Sequence, residues 1–181
     1  MRTRGALFPR RGRQDGGYAD CLSVDEYLRT SFPNLDRDYR NGEIVERTLP
    51  DPFHSRTQAL IAFFFEGLRK KLSVFVDLEL RLKLRERLVL IPDICVYWPE
   101  RTASRLPDVP PLVSIEIMSP DDRLTAVGNK LEEYRTWGVK HAWLVDPNSR
   151  RMYICNAGLT EVASLRVPEI DAELTPADIF E

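Results

Sequence analysis

The alternation of hydrophobic and polar residues is clearest in the middle of the chain, from Val74 to Tyr97. The run V-F-V-D-L-E-L-R-L-K-L alternates with a period of two over 74–84, which is typical of a β-strand with one buried face. The charged R-E-R at 85–87 can form a turn, and L-V-L-I-P-D-I-C-V-Y returns over 88–97. The pattern therefore predicts a long hairpin whose second strand carries Asp93.

Three segments show helical signals. Apolar residues recur at intervals of three and four between Ser55 and Lys71, which predicts the first long helix. A second helix is predicted from Thr125 to Trp137, with a glycine directly after it. A shorter helix is predicted within 22–29, where Ser23 is an N-cap and a glutamate stands three residues later, at capping-box spacing.

The remaining strands complete a mixed α/β order. Asn41-Gly42 is a strong hairpin turn signal, so strands are expected over 38–39 and 43–48. A short buried strand is predicted over 112–118, and two more strands flank the D-P-N-S turn between His141 and Cys155. Helices alternate with both hairpins and single strands, which favours an α/β domain.

Composition limits the class of protein. The chain has 181 residues, of which 43% are hydrophobic and 30% charged, so it predicts one globular domain with a real core over 22–181. We expect the basic segment 1–21 to be a disordered tail. Neither the apolar core of a signal peptide nor a run of ~18 apolar residues is present, so no membrane segment is expected. Three widely spaced cysteines without a C-x-x-C motif favour the reducing cytoplasm.

Two carboxylates stand inside apolar, strand-like runs: Asp93 in L-V-L-I-P-D-I-C-V-Y and Glu116 in P-L-V-S-I-E-I-M-S-P. Burying a charge costs several kcal/mol unless it is paired or binds a metal. Two carboxylates on neighbouring strands repel unless a proton or cation lies between them, and Mg²⁺ commonly takes one or two carboxylates in proteins. The alternative is structural: Asp93 ends or bulges its strand after Pro92, and Glu116 faces solvent.

Six motifs in this order resemble the Uma2 family of restriction endonucleases, which belongs to the PD-(D/E)XK nuclease superfamily. The resemblance extends from residue 22 to about residue 180, and it implies a restriction-endonuclease-like mixed β-sheet flanked by helices. The six motifs are Y-R-N-G-E-I-V, H-S-R-T-Q, I-P-D-I-C-V, L-V-S-I-E-I-M-S-P-D-D-R, K-L-E-E-Y-R-T-W-G-V and A-W-L-V-D-P.

The resemblance also implies a metal site. The two acidic residues of the superfamily motif match Asp93 and Glu116, and the backbone carbonyl of Ile117 is the expected third ligand to Mg²⁺ or Mn²⁺. The motif's lysine would fall at residue 118, where this chain has Met118. The family's lysine in a K-L-x-x-Y segment on the next helix matches Lys130 instead.

The family's N-terminal glutamate, in the segment G-E-I/L-V, matches Glu43. We expect Glu43 to hold water around the metal or a second metal ion, but it is equally typical of a surface residue after a turn. His54 and Gln58 stand at the start of the first long helix and are open to two interpretations. They either cap the helix or contact phosphate at the mouth of the site; capping is favoured for Gln58, whereas His54 fits both equally.

The implied function is a Mg²⁺-dependent endonuclease that hydrolyses DNA phosphodiester bonds. A catalytically inactive module that binds nucleic acid or another partner remains open, as does RNA or a small nucleotide as substrate. The net charge of −2 means that binding to nucleic acid needs a local basic patch. Alternation places Arg81, Lys83 and Arg85 on one face of the hairpin, although such residues also protect edge strands from aggregation. A homodimer is expected by analogy with nucleases that pair to cut two strands.

Overall fold

A computed structural model describes residues 22–32 and 36–180 of the chain. The predicted tail over 1–21 lies outside these residues. The helices are α1 (Val24–Arg29), α2 (Pro52–Leu72), α3 (Leu124–Trp137) and α4 (Pro176–Ile179), with a 3₁₀ turn at Pro168–Ile170. The strands are β1 (Asp38–Arg40), β2 (Glu43–Val45), β3 (Phe75–Leu78), β4 (Leu82–Arg85), β5 (Leu88–Leu90), β6 (Ile94–Tyr97), β7 (Val113–Ile117), β8 (His141–Asp146), β9 (Arg151–Cys155), β10 (Leu159–Val162), β11 (Leu165–Val167) and β12 (Ala172–Leu174).

The strands form two larger sheets and one small one. The six-stranded sheet has the order β10-β9-β8-β7-β6-β3, and the four-stranded sheet has the order β2-β1-β5-β4. In the six-stranded sheet β7 and β8 pair in parallel, and the other neighbours are antiparallel. Strands β11 and β12 pair separately near the end of the chain. The predicted mixed α/β fold is confirmed.

The predicted long hairpin is divided between the two larger sheets, so the prediction of two continuous strands was wrong. Its outer part pairs β3 with β6, and its tip pairs β4 with β5. The first break includes Glu79, which has a left-handed φ of 52°. The second break spans 91–93, where Pro92 lacks an N–H to donate to a ladder. Asp93 therefore lies at the junction of two sheets.

The six-stranded sheet is covered by a long helix on each face. Ile61 and Phe65 of α2 pack in one buried cluster with Ile115 of β7, and Leu131 and Tyr134 of α3 pack in another. Side chains alternate along β7, so its isoleucines and valine face α2. Residues 114 and 116 face α3. Glu116 thus enters the interior on the α3 side.

Local signals at the helix ends were partly correct. The capping box of α1 forms between Ser23 and Glu26 as predicted, and α3 ends at Gly138 with φ of 120°. Helix α2 begins earlier than expected, because Asp51 caps it through the His54 N–H and Pro52 occupies its first turn. None of the helices within the described residues is both long and apolar enough to cross a membrane.

Candidate active site

Asp93 lies where the ladder between β6 and β7 ends. Ile94 pairs with Ile115 across the two strands, so the next position of the ladder would set residue 93 opposite residue 116. There the Asp93 carboxylate itself accepts a hydrogen bond of 2.7 Å from the Ile117 N–H. A side chain thus satisfies a buried backbone donor that the broken strand leaves free. This contact fixes the Asp93 carboxylate beside the end of β7.

Three further side chains surround Asp93, which is only 4% exposed. Arg47 donates to its Oδ1 over 2.7 Å, and His54 Nε2 lies 3.3 Å from its Oδ2. Burial alone would raise the pKa of Asp93, but the hydrogen bond with His54 and the charge of Arg47 outweigh it and lower that pKa. Asp93 is therefore held as a carboxylate.

His54 is buried at the start of α2, with 5% of its surface exposed. Burial alone would lower its pKa, but the hydrogen bond to Asp93 and that residue's charge raise the pKa above the ordinary value. Its Nδ1 is buried without a hydrogen-bond partner among the described residues. His54 therefore contacts the site directly, whereas its backbone N–H serves the cap at Asp51.

Glu116 projects from β7 towards α3. Its carboxylate accepts hydrogen bonds from Lys130 Nζ and from the Tyr134 hydroxyl, each over 3.0 Å. Burial raises the pKa of Glu116 to about 7, with a further rise from Asp93 and an opposing effect from Lys130. Near neutral pH this carboxyl group is only partly ionised, because the surrounding groups do not fully compensate its charge.

Lys130 approaches Glu116 from α3 and is itself buried. Its ammonium donates to the Ile91 carbonyl over 2.8 Å and lies 3.6 Å from Asp38 Oδ2. Burial alone would lower the pKa of Lys130, but Asp38 and Glu116 raise it, so the ammonium stays protonated. Met118 packs against the cluster on the α3 side. An ammonium thus stands beside Glu116 although residue 118 is a methionine.

Asp38 is a site residue that the sequence did not reveal. It is 5% exposed at the start of β1, and its Oδ1 accepts a hydrogen bond of 2.9 Å from the Ile91 N–H. Asp38 and Lys130 together satisfy both backbone groups of Ile91 at the break between the sheets. The available signal was an acidic residue directly before the buried Tyr39, which is weak.

Further polar side chains contact Arg47 and the backbone of Asp93. Arg47 also pairs with Glu79, and Gln58 donates to Glu79 Oε1 over 3.1 Å. Gln58 further donates to the Asp93 carbonyl over 2.9 Å. The predicted capping role of Gln58 was therefore wrong. Its amide instead joins both breaks of the divided hairpin to α2.

Glu43 is not among the described residues that line the cleft around Asp93 and Glu116. It is exposed in β2 and stands opposite Arg40 in the hairpin. Val45, which pairs with Asp38, does line the cleft. Glu43 lies two residues nearer the turn on the same face, outside this lining, and the acidic side chain that the hairpin brings to the cleft floor is Asp38.

The site opens into a cleft of about 480 Å³. One wall comes from β1, β2 and the segment leading to α2, and the other from α3 and the loop before it. The two walls meet where the Thr48 hydroxyl donates to the Asp122 carboxylate. The charged residues of the lining are Asp38, Arg40, Glu46, Arg47, His54, Asp93, Glu116, Asp121, Asp122, Arg123 and Lys130.

The basic stripe predicted on the hairpin is largely engaged in other contacts. Arg81 pairs with Asp36 and its guanidinium stacks 4.6 Å from the centre of the Tyr27 ring. Arg85 forms an ion pair with Glu133 of α3. The stripe therefore does not form a free basic surface, because tertiary contacts unseen in the alternation occupy two of its three members.

The oxygen atoms of the site suit a hard divalent cation. Within the described residues there is no group of three or more His, Cys, Asp or Glu side chains placed to hold a metal. Mg²⁺, however, needs only one or two carboxylates and retains several waters. Asp93, Glu116 and Ile117, the residues expected to hold the metal, all line the cleft.

Each carboxylate retains room for a further partner. A carboxylate offers about four acceptor positions. Within the described part of the chain, Asp93 engages three of them, with Arg47, His54 and the Ile117 N–H, and Glu116 engages two. Each carboxylate therefore has at least one acceptor position that these hydrogen bonds do not use.

Comparison with known proteins places the fold and family. The model of the Uma2 family, described as "Putative restriction endonuclease", matches residues 24–181. The chain is also similar to the crystal structure of a "putative nuclease belonging to DUF820" from Anabaena variabilis ATCC 29413. The TM-score is 0.76 at 23% sequence identity, covering 88% of this chain and 97% of the other. No curated protein matches the chain.

Proposed function

This chain belongs to the Uma2 family, whose description is "Putative restriction endonuclease", and from that premise we propose that it is a Mg²⁺-dependent endonuclease that hydrolyses DNA phosphodiester bonds. Family and fold both support a nuclease function. The dependence on Mg²⁺ or Mn²⁺ and the choice of DNA are proposed from the chemistry of the cleft. Asp93, Glu116 and Lys130 would carry the reaction.

The observation that carries the proposal is the convergence of these three side chains on one cleft. Asp93 reaches it from the break before β6, Glu116 from β7 and Lys130 from α3. All three are at least nine-tenths buried, and the Lys130 ammonium lies 3.0 Å from Glu116. Maintaining buried ionised groups is costly. Their assembly at the floor of a cleft is therefore typical of a functional site.

Asp93, Glu116 and the Ile117 carbonyl would hold the cation. When bound, a divalent cation neutralises charge on the phosphoryl oxygens and makes water a better nucleophile near neutral pH. The Lys130 ammonium would orient the attacking water and stabilise the negative charge that develops on the phosphate, because it is protonated and already fixed by two hydrogen bonds.

The groups around Asp93 would position it. The Ile117 N–H, Arg47 and His54 fix the two carboxylate oxygens in different directions. Such fixed orientation matters because small displacements of catalytic groups reduce rates strongly. Asp38 would act in the same way on Lys130, by keeping the ammonium charged and directed towards Glu116.

The proposal is tested by incubating the purified protein with supercoiled plasmid, labelled duplex DNA, single-stranded DNA and RNA, in Mg²⁺, in Mn²⁺ and with chelator. We expect nicking or cleavage of DNA in either metal and none with chelator. Glu116→Gln should abolish it, whereas Glu161→Gln, the same change at an exposed residue of β10, should not. If the protein cleaves RNA but not DNA, its substrate is RNA. Binding to DNA without cleavage in either metal would support the inactive module instead.

A further inference from the structure

The cleft contains two arginines whose side chains have no charged partner among the described residues. Among the described residues its lining carries six acidic side chains and the basic residues Arg40, Arg47, Arg123 and Lys130. Arg47 and Lys130 are already bound to the carboxylates of the floor, over 2.7 Å and 3.0 Å. Within residues 22–32 and 36–180, no hydrogen bond or ion pair engages the side chain of Arg40 or Arg123.

The two free arginines stand on opposite walls. Arg40 is on β1, and because side chains alternate along a strand it shares the face of Asp38. Arg123 precedes α3 on the other wall and is exposed. The hydrogen bond from Thr48 to Asp122 joins these walls next to Arg123. A strand of nucleic acid lying in the cleft would therefore have one guanidinium on each side.

Because the cleft lining is mainly acidic, binding of nucleic acid there needs arginines that can contact phosphate. The acidic lining repels a polyanion, and the buried Arg47 and Lys130 mainly balance the carboxylates of the floor. A guanidinium donates two parallel hydrogen bonds to a phosphate and is the side chain best shaped for that contact. The alternative basic surface on the hairpin is engaged with Asp36 and Glu133.

We propose that Arg40 and Arg123 bind backbone phosphates of the nucleic acid, one from each wall. These contacts position the nucleic-acid strand over Asp93 and Glu116. This inference rests on the proposed nuclease function. Since phosphate contacts carry no base information, the two arginines set register and affinity and do not read sequence.

The test measures binding of a labelled DNA duplex by fluorescence anisotropy, with Ca²⁺ in place of Mg²⁺ so that binding is observed without cleavage, over a range of salt concentrations. Arg40→Gln and Arg123→Gln should each weaken affinity by about tenfold. Each should also reduce the slope of log affinity against log salt by about 0.9, the value for one lost contact to a duplex phosphate. Arg105→Gln, which removes an exposed charge outside the cleft lining, should change neither quantity.

Arginine-to-lysine variants and melting temperatures distinguish the loss of a phosphate contact from a change in folding. Arg40→Lys and Arg123→Lys keep the charge, so they should retain the salt slope while losing part of the affinity, and all variants should melt at the wild-type temperature. If the wild type cleaves DNA but both glutamine variants behave like Arg105→Gln, the assignment of the arginines is wrong and the nuclease function stands. A wild type that neither binds nor cleaves nucleic acid would overturn both. If only Lys83→Gln lowers the slope of log affinity against log salt, the phosphate contact lies on the hairpin and not in the cleft.

Discussion

The Lys130 ammonium of α3 lies 3.0 Å from the Glu116 carboxylate of β7, so the positive charge at the end of this strand is supplied by a helix. A lysine stem is long and flexible enough to deliver its ammonium from either element. Met118 can therefore pack against the apolar cluster on the α3 side without leaving Glu116 unpaired.

Replacing Lys130 should separate cleavage from binding. Lys130→Met retains most of the stem but removes the ammonium, so we expect cleavage to fall by at least ~10²-fold, as for loss of one preorganised charge that stabilises a transition state. DNA affinity should stay close to that of wild type, because the lysine is buried on Glu116 and Ile91. Cleavage rates and binding curves measure the two effects. Lys140→Met, at a side chain 65% exposed, is the surface control.

Asp38 and Glu43 should differ in their effect on activity. Asp38→Asn removes the charge that faces Lys130 over 3.6 Å, so the ammonium should be less well fixed and the maximal rate should fall roughly tenfold or more. Glu43→Gln should retain the wild-type rate, because Glu43 is exposed at the hairpin turn. Steady-state cleavage of a labelled duplex compares them. Loss of activity in Glu43→Gln with normal activity in Asp38→Asn would restore the assignment expected from the family motif.

Asp93→Asn should destabilise the metal-free protein. Had the Asp93 charge been unpaired and repulsive, its removal would have been neutral or stabilising. The structure instead pairs it with buried Arg47 and with His54, and removing one partner of a buried pair costs up to about 3–5 kcal/mol. Because the pKa of Asp93 is lowered on folding, this contribution is present above its unfolded pKa and is lost as the pH falls. Urea unfolding should show a lower free energy of unfolding for the variant than for wild type near neutral pH. This difference should become smaller as the pH falls.

Mg²⁺ affinity should depend on pH through Glu116. Its pKa is raised from 4.5 to about 7, so below about pH 7 a proton competes with the metal for the carboxylate. Affinity should rise by up to about tenfold per pH unit below that point and level off above it. Calorimetric titration with Mg²⁺ measures this. The same raised pKa means that the folded protein retains a proton that the unfolded chain releases, so this residue's contribution to stability decreases as the pH rises through about 7.

Arg81 should contribute to stability and not to DNA binding. Its guanidinium pairs with Asp36 and stacks on Tyr27, so Arg81→Ala should reduce the free energy of unfolding by about 1–2 kcal/mol. The salt dependence of DNA binding should be unchanged. If Arg81→Ala instead lowers the slope of log DNA affinity against log salt and keeps the wild-type stability, the basic stripe inferred from the sequence binds DNA.

The sequence was most informative where a residue contradicted its surroundings. Asp93 and Glu116 stand out because carboxylates are costly within buried strands, and both lie in the site. Lys130 was identified through the family motif, since an isolated helical lysine has no distinguishing pattern. Their catalytic roles remain predictions.

Asp38, Arg47 and Glu79 were missed for a different reason. Each stands in a segment of ordinary composition, and its contacts lie far along the chain: Arg47 meets Asp93 across 46 positions. Periodicity describes only the face of one element, so it could not predict such contacts. The same limit made the hairpin look continuous, because two strands that change sheets keep the same alternation on both sides of the break.

The break at 91–93 links the assembly of the site to the docking of the two sheets. Asp38 and Arg40 come with the four-stranded sheet, whereas Glu116 comes with the six-stranded sheet, and the backbone of Ile91 is satisfied only when Asp38 and Lys130 are both in place. A chain that has formed only one sheet lacks some of these polar groups and has an unsatisfied backbone group at Ile91. Competence to cut would thus arise only once both sheets have docked.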